Sequence, residues 1–263
     1  MKTMLYSGGL DSFVLARTLL NSQTDIKLLA FDIGTHENRT ELNLISSDPF
    51  IQPYVEVVDL NLAQFELTNK ILPFRNMFLL LAAATYGDSI YIGSTQADIA
   101  QDSTDDFFNK ATAVLDLFGE DSSQTKHGAS KFNIQRPYVS STKAGYLLGY
   151  CDRFGMDAFV SLLESVGKYS RSCYHVDADT LGECGECLSC VRKSVALHFV
   201  DSVLVDKRVT DAIKSILANF KVQLTNELLD FSIEALKSKC VAYPEKAEKE
   251  LIQIASVQSL LFP

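Results

Sequence analysis

A short apolar run, Met4-Leu5-Tyr6, leads straight into Ser7-Gly8-Gly9-Leu10-Asp11-Ser12, and an apolar-periodic stretch follows with Phe13, Leu15, Ala16, Leu19 and Leu20. This order predicts a strand, a tight turn and a helix. A strand that feeds a helix through a glycine turn is the building block of layered α/β folds. Gly8 and Gly9 lack a Cβ, so the backbone can turn sharply and bring its N–H groups against an oxyanion. The helix points its positive end at the same spot, which favours phosphate there. Ser7 and Ser12 offer hydroxyl donors, and Asp11 is placed to hold the Mg2+ that accompanies a polyphosphate. No Gly-Lys-Ser/Thr follows the glycines, so hydrolysis at a γ-phosphate in the Walker manner is not the expected chemistry.

The chain goes on in alternation. Ile26 to Asp32 reads as a second buried strand, and Ile33 to Asn38, with His36, as the loop at its carboxyl end. A short polar helix is expected near Glu41–Ser46. Tyr54 to Asp59 alternates Val55 and Val57 against Glu56, as a strand near the sheet edge does. Leu72 to Asn76 opens an apolar helix, Met77 to Tyr86, expected to be buried on most sides. Ser89 to Ser94 is a fourth strand, followed by a polar loop (95–104) and a helix over about Asp105–Phe118. Residues 120–131 read as a mobile surface loop, and Phe132 to Pro137 as a last short strand. Thr142 caps a helix that ends near Gly155. Such alternation predicts a doubly wound parallel sheet with right-handed crossovers, whose ligands bind at the carboxyl ends of the strands. From 191 to 263 helical periodicity continues, broken near Val205–Val209 and at Pro244. The expected domains are an α/β nucleotide domain (1–172), a four-cysteine element with its following helix (173–206) and a C-terminal helical extension (207–263).

An apolar share of 47% with 22% charged residues is that of a soluble globular protein. The net charge of −9 argues against bulk nucleic acid or an anionic membrane as partner. No apolar run reaches the ~18 residues of a membrane span, and the first strand begins close to Met1, so a cytoplasmic protein without a targeting peptide is expected. Four of the six cysteines follow the pattern Cys173-x10-Cys184-x2-Cys187-x2-Cys190. In a cytosolic chain this crowding reads as metal, not disulfide. Cys184-Gly185-Glu186-Cys187 forms a knuckle, and four thiolates suit a closed structural zinc site. An iron–sulfur cluster, or His175 as a ligand, are the alternatives. Cys151 and Cys240 read as buried thiols.

SGGLDS resembles the PP-loop of the ATP pyrophosphatase superfamily, whose members hold the β,γ-pyrophosphate and cleave ATP between α and β. With four cysteines after the last strand, the chain is similar to the 7-cyano-7-deazaguanine synthase (QueC) family from Met4 to about Leu197. Phe31-Asp32-x-Gly34 matches the family's FDYG loop, Arg75-Asn76 its GRN, Gly93 its strand-end glycine and Thr142-Lys143-Ala144 its TKA. Ser172-Cys173-Tyr174 with Cys184-Gly185-x-Cys187-x-Ser189-Cys190-x-Arg192 matches its zinc signature.

The resemblance implies a Rossmann-like fold and an AMP- and pyrophosphate-forming carbon–nitrogen ligase. Such enzymes adenylate the carboxylate of 7-carboxy-7-deazaguanine, let ammonia displace AMP, and dehydrate the amide to the nitrile with a second ATP. It also implies ATP, Mg2+ and structural Zn2+. ATP contacts would come from Tyr6, Ser7, Gly8, Gly9, Leu10, Asp11, Ser12, Phe31, Asp32 and Gly93. Asp11, Arg75 and Lys143 would be catalytic, and Asn76, Asp98 and Asp102 would hold the substrate. Cys173, Cys184, Cys187 and Cys190 would hold the zinc, and a homodimer is implied by analogy. The chain departs from the pattern in two places. Phe74 stands where the family usually has glycine, and Asp98 to Thr104 lacks the aromatic and arginine of the family's Tyr-Ser-Gly-Tyr-Pro-Asp-Cys-Arg loop. Other readings are a QueC-like anti-phage defence enzyme whose acceptor is a protein amine or N-terminus, a PP-loop enzyme that thiolates tRNA, and a nucleotide-binding scaffold without catalysis.

Overall fold

Five short strands pair in parallel in the computed structural model: β1 (Lys2–Leu5), β2 (Lys27–Asp32), β3 (Val55–Asp59), β4 (Ser89–Ile92) and β5 (Asn133–Gln135), in the order β3-β2-β1-β4-β5. The structure describes residues 1–68, 72–95, 101–119, 131–173 and 182–223. Asp98, His175, Cys240, the 120–130 loop and the periodic tail beyond 223 lie outside the described residues. The chain divides into two compact units, one from Met1–Ser94 and Asp98–Val139, the other from Thr95–Ala97 and Ser140–Pro263. No helix among the described residues is long and apolar enough to cross a membrane.

The first unit is the doubly wound sheet that strand–helix alternation predicts. Helices α1 (Leu10–Asn21), α2 (His36–Ser47), α3 (Arg75–Ala84) and α4 (Asp105–Gly119) link the strands. Side chains alternate across a strand, so Leu5, Leu29, Phe31 and Ile90 share one face. They form a core there with Leu80, Ala83 and Ala84 of α3 and Phe108, Ala111 and Leu115 of α4. Met4, Leu28 and Ala30 alternate to the opposite face and are also buried; right-handed crossovers put α1 and α2 on that side. β3 sits at the edge, as its alternation indicates. α2 is longer than the polar stretch suggests because Thr35 starts it, its side chain accepting from Asn38 N–H.

The expected burial of α3 on most sides holds only in part. Only Leu80, Ala83 and Ala84 are fully buried, while Leu81 and Phe74 are exposed. A ten-residue helix laid on one sheet face has a second side that the described residues leave only partly covered. Phe74 lies in the left-handed region (φ 58°, ψ 21°) and is 76% exposed. That backbone costs a side-chain-bearing residue about 1–2 kcal/mol, which glycine avoids at the expense of about 0.5–1 kcal/mol of extra unfolded-state freedom. Phe74→Gly is therefore expected to raise Tm by about 2 °C. A melting curve shifted downward would contradict this.

The second unit is helical: α5 (Lys143–Phe154), α6 (Met156–Tyr169), α7 (Leu188–Leu204) and α8 (Lys207–Leu217). Thr142 caps α5, accepting from Gly145 N–H at 3.0 Å. α7 stops at Val205 (φ 47°) and Asp206 caps α8, where the sequence shows its break. α6 has no counterpart in the sequence reading, although Phe159, Leu162, Leu163 and Val166 carry the i, i+3, i+4, i+7 spacing that marks it. Beyond α8 the chain pairs with the cysteine segment: Lys221 N–H donates to Glu183 O at 2.8 Å and Val222 N–H to Cys184 O at 3.1 Å.

Candidate functional site

The strand order reverses between β1 and β4, which leave the sheet centre in opposite directions. This is the switch point at which open α/β sheets bind ligands. Ser7-Gly8-Gly9 crosses it between β1 and α1, with Gly8 at φ 74°. Gly9 starts α1, and no side chain caps the helix there. Ser7 and Ser12 hold the turn's shape: their hydroxyls lie 3.1 Å apart, Ser7 N–H donates to Ser12 Oγ at 3.3 Å, and Ser12 Oγ donates to Gly9 O at 3.0 Å. Gly93, just past β4, is packed against the same helix start. A Cβ there would stand 2.9 Å from the Asp11 carbonyl carbon and from Ser12 N. Tyr6 and Leu10 turn their side chains into the core. Burial, with the Asp48 carboxylate adding to it and Arg17 opposing, pushes the Tyr6 phenol well up.

At the carboxyl end of β2, Asp32 Oδ1 accepts from Gly34 N–H at 2.9 Å. Asn38, which sequence reasoning missed, spans the loop: its amide donates to Phe31 O at 2.9 Å and accepts from Ile33 N–H at 2.8 Å. An asparagine in the first turn of a helix, a few residues past a strand, is the signal that was there to find. Two predicted substrate residues are brought together. Asn76 Nδ2 donates to Asp102 O at 2.9 Å, and Asn76 N–H donates to Asp102 Oδ2 at 3.3 Å. Arg75 opens α3 and is exposed. Lys143 opens α5 in the second unit and is buried.

The cysteines converge in the second unit. The sulfurs of Cys173, Cys184, Cys187 and Cys190 all lie within 4.8 Å of one another, and those of Cys184 and Cys190 are 3.9 Å apart. A tetrahedral ion with bonds of about 2.3 Å sets sulfurs roughly 3.8 Å apart. Cys187 N–H donates to Cys184 Sγ and Cys184 N–H to Cys173 Sγ, each at 3.3 Å. Gly185 (φ 83°) has a second reason to be glycine: a Cβ would fall 1.8 Å from Val222 O. Burial pushes the Cys184 thiol up to about 11, and a hydrogen bond with Cys187, with burial, pushes Cys190 higher still. A bound cation would therefore displace protons.

Arg171 is 3% exposed, donates through Nη2 to Gly182 O at 2.9 Å, and among the described residues has no hydrogen-bond partner for Nε or Nη1. The donor set could hold zinc. Beside it Lys193 and Glu183 form a buried ion pair of 2.7 Å, and Glu183 also accepts from Ser172 N–H at 2.7 Å.

A family model described as "Queuosine biosynthesis protein QueC" matches residues 40–201. The chain belongs to the QueC family. Proteins named 7-cyano-7-deazaguanine synthase are similar to it at low identity. That of Methanocaldococcus jannaschii is 23% identical over 225 residues, covering 72% of this chain and 91% of its own length. That of Methanosphaerula palustris is 25% identical over 213 residues, covering 70% and 89%. That of Pseudoalteromonas translucida is 24% identical over 214 residues, covering 70% and 88%. Membership in the QueC family makes the chain an ATP-using synthase, and identities this low make it a diverged member.

Proposed function

We propose that the chain activates the carboxylate of 7-carboxy-7-deazaguanine with ATP and couples it to ammonia, giving the amide and then 7-cyano-7-deazaguanine. The observation that carries this reading is the glycine turn at the sheet's switch point, at a helix start that no side chain caps. Ser7, Gly8, Gly9 and the first turn of α1 would take the outer two phosphates, through backbone N–H groups and the serine hydroxyls. Tyr6 and Leu10 contribute backbone only. Phe31, Asp32 and Gly93 complete the nucleotide site. Asp11 would hold Mg2+, which supplies charge neutralisation between the phosphates.

In the first step a carboxylate oxygen forms a bond to the α-phosphorus, and the Pα–O bond to the β-phosphate breaks, its electrons leaving with pyrophosphate. Arg75 and Lys143 would balance the charge that builds on the phosphoryl oxygens. Ammonia then attacks the acyl carbon, sheds a proton, and AMP departs. The amide is dehydrated through a second ATP. Asn76, Asp102 and Asp98 would hold the guanine-like edge, with Asp102 accepting from its N–H groups. The four cysteines would hold Zn2+ as a closed, structural centre.

Purified protein with labelled ATP, the acid and ammonium is expected to release AMP and pyrophosphate and to form the nitrile with no partner protein, which would assign ammonia as the amine. Release of ADP alone would overturn the reading. Asp11→Ala should lower AMP formation on the order of 10^3-fold. Asn76→Ala should raise KM for the acid about tenfold and leave KM for ATP unchanged.

A further inference from the structure

Gly8 holds a backbone conformation (φ 74°) that a glycine is free to leave. Without a Cβ, nothing in the residue itself favours it, so its neighbours have to. Ser7 and Ser12 brace the turn through their hydroxyls, and Ser7 is exposed while Gly8 is buried. What stands behind Gly8 is Ile45 of α2. A Cβ on Gly8 would meet Ile45 Cγ1 at 3.3 Å and Cδ1 at 3.5 Å. Ile45 is itself only 2% exposed.

Ile45 sits in the last turn of α2, and that end of the helix is fixed by a charge pair with no part in the proposed chemistry. Asp48 ends α2 and donates its N–H to Ile45 O at 3.3 Å. Arg17 Nη2 donates to both oxygens of the Asp48 carboxylate, at 2.8 and 3.1 Å, and Phe50 N–H donates to it at 3.0 Å. Arg17 stands on α1, the helix that the glycine turn opens. Its guanidinium carbon lies 4.0 Å from the centre of the Phe50 ring and 5.2 Å from that of Phe13. As side chains, Arg17 and Asp48 are 11% and 1% exposed. Pulling such a pair apart would strand a buried charge, and the planar guanidinium fits only a narrow range of geometries. The contacts close a ring within the first unit, from the turn along α1 to Arg17, across to Asp48, and through Ile45 back to Gly8.

We propose that Ile45 is a positioning residue for the glycine turn, held against Gly8 by the Arg17–Asp48 pair, so that the turn is already shaped for phosphate before a nucleotide arrives. That the turn takes phosphate rests on the function proposed above; the ring of contacts does not.

The test pairs amide exchange in a peptide covering residues 6–13, which needs no ligand, with the Kd of Mg–ATP from calorimetry. Ile45→Ala should speed exchange about tenfold and weaken ATP about tenfold, since a small displacement of binding groups is costly. Ile45→Val keeps a carbon at the Cγ1 position and should stay within about twofold of wild type in both. Arg17→Met with Asp48→Asn removes the tie without stranding a charge, and the asparagine can still accept from Phe50 N–H. It should match Ile45→Ala, and adding Ile45→Ala to it should change nothing more, because all three residues act through one contact. Leu115→Ala is the control. It empties a comparable volume in the core on the other sheet face, and it should lower Tm as much while leaving exchange at the turn and ATP affinity unchanged. Wild-type exchange in Ile45→Ala, equal effects in Leu115→Ala, or effects that multiply in the triple variant would each overturn the proposal. If Ile45→Ala fails to fold, wild-type exchange in Arg17→Met with Asp48→Asn overturns it alone. A wild-type protein that binds no ATP would sink the proposed function and leave the exchange result standing.

Discussion

Gly93→Ala is expected to cut ATP-dependent turnover about 100-fold. A Cβ at this position would stand 2.9 Å from the Asp11 carbonyl carbon and Ser12 N, and 3.0 Å from Ser12 Cα. All three atoms are backbone, so no side chain can swing aside. Either the end of β4 or the start of α1 has to move by several tenths of an ångström. Overpacking of this kind costs about 1–3 kcal/mol, which a single domain of ordinary stability survives. The catalytic loss is larger because the displaced atoms are those that would face the phosphates, and misplacement of reacting groups by about 1 Å is worth about two orders of magnitude. The variant should fold, keep its metal and lose rate. A melting curve and a rate both within a few-fold of wild type would mean that the close approach of β4 and α1 does not shape the site.

Gly93 also marks the line between what sequence alone discloses and what it does not. The strand–glycine–helix opening, the edge character of β3, the Thr142 cap and the cysteine knuckle are all local signals, carried by residues a few positions apart. They were legible. The reason for Gly93 was not, because its neighbours are Asp11 and Ser12, some eighty positions earlier. The Arg17–Asp48 pair was hidden for the same reason, spanning 31 positions. α6 was missed although its apolar spacing is regular, because Gly155 ends one helix and begins the next without an intervening loop. The apolar run of α3 misled only in part, and in the opposite direction. Composition gives the hydrophobicity of a helix but not how many of its sides find cover, and Leu81 and Phe74 find little. Of the predicted site, the meeting of Asn76 with Asp102 and the convergence of four sulfurs are visible in the fold.

Lys193→Met is expected to be the most destabilising single change in the second unit, at about 3–5 kcal/mol. Lys193 and Glu183 are 1% and 6% exposed as side chains and pair at 2.7 Å. Removing the ammonium leaves a carboxylate buried without its charge partner, and this residual charge, more than the lost attraction, sets the cost. Glu183 cannot turn to solvent without releasing Ser172 N–H, which sits beside Cys173, and Glu183 itself precedes Cys184. The unpaired carboxylate therefore works against the two segments that bring the first two sulfurs together. Metal content should fall along with Tm, which a loss of this size lowers by about 10 °C in a domain of this length. The double variant Lys193→Met with Glu183→Gln separates the two explanations. Removing both charges should recover most of the stability, since a neutral amide can still accept from Ser172 N–H. If the single variant melts within about 1 °C of wild type, or if the double variant is worse than the single one, the pair is not what holds the cysteine segment in place.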